Sequence, residues 1–146
     1  MEVVAMRRLL SLAVAGIGTA LMLGACGMGD VGGGGRQVGV TLDEYHVKLS
    51  QEATSAGKLT FNVHNGGKEK HEFVVIKTDL DPGALPQEGS KIKEDATGVE
   101  HVGELDGVDA GKDRSLTMDL KAGTYVFICN IPDHAHEGMV ARFTVQ

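Results

Sequence analysis

The sequence predicts an all-β fold, a sandwich of short strands, on three observations. After residue 37, apolar residues recur at every second position in short runs rich in Val, Thr, Phe and Ile, the period of a half-buried strand. Clusters of Gly, Asn, Asp and Pro interrupt those runs and supply turns. The chain shows no long amphipathic helix, no parallel strand–helix–strand spacing and no internal repeat.

Residues 38–49 show partial alternation and β-branched content, which predicts a first strand, and residues 50–57 read as a loop. Residues 58–64 alternate with Leu59, Phe61 and Val63 on one face, and Asn65, Gly66 and Gly67 form the turn that follows. From residue 71 to 77 the alternation gives way to the solid run Phe73, Val74, Val75, Ile76. Such a run suits a strand covered on both faces; a buried helix segment is the other reading that periodicity allows. Residues 79–98, with Pro82, Pro86, several Gly and many charges, read as an excursion with one helical turn near Ile92. Residues 99–105 read as an edge strand blunted by charge, and residues 107–113 as a turn region. Residues 115–120 alternate again, and residues 124–145 read as strand, short loop and strand.

Residues 1–25 do not belong to that domain. Arg7 and Arg8 precede an uncharged, mostly apolar run at 9–23, which closes on Leu23, Gly24, Ala25 and Cys26. A positive start, a short apolar core and small residues at the cut describe a secretory signal. The apolar core is short for a spanning helix, which needs about 20 residues. The small-small-Cys ending resembles the bacterial lipobox, which implies that Cys26 becomes a lipidated amino terminus; an ordinary signal peptide is the alternative. Residues 26–36 are dense in Gly and read as a flexible tether spanning roughly 18 Å root-mean-square. Residues 37–146 then form the single folded domain, held outside the cytoplasm on a bacterial cell membrane.

The chemistry is concentrated between the last two strands. Cys129, His134 and Met139 follow one another there as Cys-x4-His-x4-Met. Taken singly, each has a plain reading, Cys129 and Met139 as buried apolar side chains and His134 as a loop residue. Together, thiolate, imidazole and thioether make a soft donor set that suits copper, with zinc or no metal as the alternative. A second imidazole completes the set, and His71, at the head of the apolar run, is the best placed.

With Pro132 before His134 and Gly138 before Met139, this stretch resembles the carboxy-terminal signature of the cupredoxins, the small type 1 copper proteins. The resemblance implies a cupredoxin-like Greek-key β-sandwich with one copper ion. It implies His71, Cys129 and His134 as the trigonal ligands, Met139 as the distant axial one, and single-electron transfer through the His134 edge. It implies no enzymatic activity. Many cupredoxins carry Asn after the upstream His, where it ties the ligand segments together; this chain has Glu72 there, and Asn130 offers a substitute. His136 reads as a solvated loop residue, and His46, His64 and His101 as surface residues. A copper chaperone or scavenger using the same ligands with His136 and Met28 is the competing function, and a metal-free interaction domain the third.

Counting excludes several other classes. A binuclear copper centre needs two Cys in one loop, and Cys129 stands alone there. A multicopper oxidase needs further His ligands and more domains than 146 residues provide. The chain has two Cys, so a Cys26–Cys129 disulfide is the alternative to both anchor and metal. The whole chain carries −6, and residues 1–25 contribute +1 through Glu2, Arg7 and Arg8, which leaves −7 on the mature side chains. That sign argues against nucleic acid and suits redox partners with basic surfaces, met by a monomer.

Overall fold

The computed structural model describes residues 35–146. The leader expected at 1–25, the expected lipidation at Cys26 and the expected tether as far as residue 34 lie outside the described residues. Eleven strands follow: β1 (Arg36–Asp43), β2 (His46–Leu49), β3 (Ala53–Thr54), β4 (Gly57–Asn65), β5 (His71–Lys77), β6 (Gln87–Glu88), β7 (Lys91–Ile92), β8 (Glu100–Val108), β9 (Asp113–Leu120), β10 (Gly123–Ile128) and β11 (Val140–Val145). A single 3-10 turn spans Pro82–Ala84, with proline at its start. No helix among the described residues is long and apolar enough to cross a membrane.

The strands form two sheets, in the orders β2-β1-β4-β9 and β3-β11-β10-β5-β8, with β6 and β7 as a separate hairpin. This is the sandwich that the alternation predicts. Its interior is filled from both sheets: Val38, Val40 and Leu42 of β1 and Leu59, Phe61 and Val63 of β4 meet Phe73, Val75, Phe127 and Phe143 from the other side. All four phenylalanines join in one cluster, with ring centroids 5.1 to 6.0 Å apart in tilted or edge-on pairs.

The solid apolar run of β5 has its explanation in a second cluster. Val74 and Ile76 of β5, with Val126 and Ile128 of β10, face away from the sandwich interior. Leu85, Ile92 and Ala135 cover them, with Leu80 and Val99 packed alongside. The excursion at 79–98 is therefore a lid over the outer face of the five-stranded sheet. Apolar side chains pointing both ways along β5 are what two covered faces require.

Four sequence expectations need correction. Residues 38–49 are two strands, because the chain turns at Glu44 and Tyr45 and β2 folds back antiparallel on β1, with Asp43 opposite His46. The loop at 50–57 contains β3, which pairs in parallel with β11 through Ala53 and Thr144. The helical turn expected near Ile92 is absent; Ile92 lies in β7 opposite Gln87, and the only turn of helix in the described residues is the one at Pro82–Ala84. The edge strand β8 is also longer than expected, because its pairing with β5 continues through Val108 opposite His71.

Candidate metal centre

Strand register brings the candidate ligands to one end of the five-stranded sheet. β5 and β10 run antiparallel with Val74 opposite Ile128, so His71 at the start of β5 lies beside Cys129, just past the end of β10. β11 pairs with β10 through Val140 opposite Ile128, which returns Met139 to the same end. The loop between them is a tight backbone structure. Cys129 N–H donates to Met139 O at 3.1 Å, His134 N–H to Ile131 O at 3.1 Å, and Met139 N–H to His134 O at 3.0 Å. Gly138 has φ 121°, open to glycine and costly for other residues, and a Cβ there would stand 3.0 Å from Tyr45 O.

His71, Cys129 and His134 converge at close range. His71 Nδ1 lies 3.2 Å from His134 Nδ1. Cys129 Sγ lies 3.4 Å from His134 Nδ1 and 3.9 Å from His71 Nδ1. All three are buried, His71 and Cys129 completely and His134 to 8% exposure. Met139 is also fully buried and belongs to the same interior cluster as Cys129.

The surroundings prepare these groups for a cation. The Glu72 backbone N–H donates to Cys129 Sγ at 3.3 Å, tying the upstream ligand strand to the thiol through main chain. Burial pushes the Cys129 thiol up, against the opposing N–H groups of Glu72 and Ile131, so the metal itself must draw off its proton. Burial, and next the His134 ring, push His71 below the ordinary imidazole range, which favours the neutral form that binds metal. The distal nitrogens face carboxylates, with His71 Nε2 3.2 Å from Glu44 Oε1 and His134 Nε2 3.6 Å from Glu69 Oε2. Two proximal nitrogens and a sulfur thus point inward at one another, while the outward nitrogens have acidic partners. Two imidazoles and a thiol in a buried pocket fit copper.

The remaining residues are placed as follows. Asn130 is buried and makes three hydrogen bonds, to Ile92 and Glu94 on the excursion, so it does not replace the missing tie to the upstream ligand strand. His136 is exposed, outside the group of buried donors. His46, His64 and His101 are exposed as expected, and Cys129 is a free thiol. Sequence reasoning misses Glu44, Tyr45 and Glu69. Tyr45 stands edge-on to the His134 ring at 5.4 Å between centroids. No local motif marks Glu44 or Tyr45; the one signal is the Asn65-Gly66-Gly67 turn, whose bare Gly67 is the space that the Glu44 carboxylate fills.

Comparison with known proteins agrees with this fold. No curated protein matches the chain in sequence. Auracyanin from Roseiflexus castenholzii, in its dithionite-reduced form, superposes with a TM-score of 0.57 at 20% identity, over 78% of this chain and 99% of its own. Auracyanin A from Chloroflexus aurantiacus gives 0.54 at 18% identity, over 77% and 100%. Rusticyanin from Thiobacillus ferrooxidans gives 0.52 at 20% identity, over 77% and 79%. The family model of copper-binding proteins of the plastocyanin/azurin family matches residues 47–146, more than half of the chain and all of the ligand segments. His71, Cys129 and His134 form a donor set that fits copper, and the chain belongs to the copper-binding plastocyanin/azurin family.

Proposed function

We propose that this protein is a mononuclear type 1 copper protein that carries single electrons between redox proteins outside the cytoplasm, tethered to a bacterial membrane through Cys26. The observation that carries the reading is the buried convergence of His71 Nδ1, His134 Nδ1 and Cys129 Sγ within 3.2 to 3.9 Å. Met139, returned to the same sheet end by β11, is the axial thioether. Auracyanin A, a "blue" copper protein, shares the fold and supports the assignment.

When bound, copper supplies a one-electron couple. The protein supplies a donor set that barely moves, since its ligands come from the start of a central strand and from a loop stitched by three main-chain hydrogen bonds. A fixed compromise geometry lowers the cost of changing oxidation state. His71, Cys129 and Met139 have no exposed surface, which shuts water and substrates out and favours a carrier over a metal-exchanging chaperone. His134 retains a small exposed fraction and is the edge through which electrons pass to a partner. The mature charge of −7 favours partners with basic surfaces.

The test is addition of Cu(II) to the metal-free protein, followed by absorption and EPR spectra. An intense blue colour with a narrow copper hyperfine splitting is the expected result. A stoichiometric but colourless copper complex overturns the reading.

A further inference from the structure

The turn between β1 and β2 plays no part in holding the metal, yet it reaches both histidines. Glu44 Oε1 lies 3.2 Å from His71 Nε2, and the next residue, Tyr45, packs edge-on against His134. The family match begins at residue 47, so both residues stand outside it.

The Glu44 carboxylate occupies a built cradle. Its Oε1 accepts the backbone N–H groups of Lys68 at 2.7 Å and Glu69 at 2.8 Å. Gly67 leaves the room: a Cβ there would stand 2.8 Å from Glu44 Cδ and closer still to Oε1. The cradle is itself anchored. Asn65 Oδ1 accepts the Gly67 N–H at 2.9 Å, and Asn65 Nδ2 donates to the carbonyls of Glu69 and Val108, both at 2.7 Å. Asn65 is fully buried, so the chain commits a core polar residue to the turn that positions Glu44.

We propose that Glu44 is a positioning residue for the copper site, which accepts the His71 Nε2–H, leaves Nδ1 as the bare donor, and favours Cu(II) over Cu(I) by its negative charge. The inference rests on the copper reading above. A metal-bound histidine whose other nitrogen donates to a carboxylate is fixed in tautomer and orientation and becomes a stronger base. The charge argument is electrostatic. One thiolate and two neutral imidazoles leave a net +1 around Cu(II) and zero around Cu(I), so a nearby anion stabilises the oxidised form. Glu44 is three-quarters covered and His71 fully so, which limits screening by solvent.

Two measurements on the full chain test this. Long-range nitrogen–proton NMR of the metal-free protein reads the His71 tautomer without any metal. Wild type is expected to hold the Nε2–H form alone, and Glu44→Ala to give a mixture. A dominant Nδ1–H form in wild type, or an unchanged tautomer in Glu44→Ala, overturns the positioning role. Redox titration of the copper-loaded protein reads the charge. Glu44→Gln keeps an acceptor oxygen in the cradle and is expected to shift the Cu(II)/Cu(I) affinity ratio about tenfold toward Cu(I), about 59 mV for one electron. Gly67→Ala, which expels the carboxylate from its cradle, should shift it in the same direction. An unchanged ratio in Glu44→Gln overturns the charge role. A colourless copper-treated wild type sinks the copper reading instead, and the tautomer result is unaffected by it.

Discussion

Asn130 grips the backbone of Ile92 with both ends of its amide. Oδ1 accepts the Ile92 N–H at 2.8 Å and Nδ2 donates to the Ile92 carbonyl at 3.0 Å, the way a neighbouring strand would. Asp133 N–H adds a bond to Ser90 O at 2.8 Å. The β6–β7 hairpin is therefore a brace on the ligand loop, applied directly after Cys129.

Removing the grip should loosen both partners. Asn130→Ala leaves the two Ile92 backbone groups without these bonds, and Ile92 is buried. Buried groups deprived of partners cost about 1–3 kcal/mol. The variant is expected to lose about 2 kcal/mol in urea denaturation and to exchange the Ile92 and Asp133 amides faster. Wild-type exchange at both amides would refute the brace.

How far the sequence discloses this architecture depends on how local each signal is. Cys129, His134 and Met139 are legible because one loop carries all three, and the clean alternation of β4 shows its inward face directly. The turn at Glu44 is hard to read because neither Gly nor Pro marks it. Its one trace is the shift of the apolar positions from Val38, Val40 and Leu42 to Tyr45, Val47 and Leu49, a change of phase within a run too short to fix a turn. The hairpin at 87–92 escapes because two-residue strands carry no period, and its partner Asn130 lies 38 positions along the chain. The missing tie shows the same limit. Asn130 reads as a replacement for the absent Asn at position 72, but its amide faces the excursion, and the Glu72 main chain makes the tie to sulfur instead.

The thiolate and the thioether should have separable effects. Cys129→Ser removes the soft anionic ligand and is expected to abolish the blue absorption. Met139→Leu keeps volume and burial, so it should remain blue with a raised reduction potential, since a weak axial donor to Cu(II) is lost. Extraction of copper with a reductant and a Cu(I) chelator should bleach wild type without unfolding it, because apolar side chains from both sheets fill the sandwich interior. A blue Cys129→Ser protein contradicts the ligand assignment.

Position 76 tests the lid over the outer sheet face. Ile76 points away from the sandwich interior, yet Leu85 and Ile92 belong to the cluster that encloses it. Ile76→Ala should cost about 2–4 kcal/mol, as a core truncation does. A substitution on an uncovered outer face would stay within about 0.5 kcal/mol. Denaturant midpoints at unchanged slope decide between the two.

The proposed anchor at Cys26 has a direct readout. Cys26→Ser should release the protein into the soluble extracytoplasmic fraction without changing its spectrum, because the proposed copper ligands all lie between His71 and Met139. Mass spectrometry of the membrane-bound form should find acyl chains on an amino-terminal Cys26. An unmodified mature terminus, or a Cys26→Ser protein still in the membrane, would contradict the tether.

Gly138 couples the ligand loop to the β1–β2 turn. Its φ of 121° costs a residue with a Cβ about 1–3 kcal/mol. In Gly138→Ala that Cβ would also press on Tyr45 O from 3.0 Å. The neighbour on one side is Met139, and Tyr45 packs on His134, so relief of the contact must move one or the other. The expected outcome is a loss of about 2–3 kcal/mol in stability, with a shift in copper absorption that a defect remote from the site would not produce. Equal destabilisation with an unaltered spectrum would mean that the loop absorbs the strain without reaching the ligands.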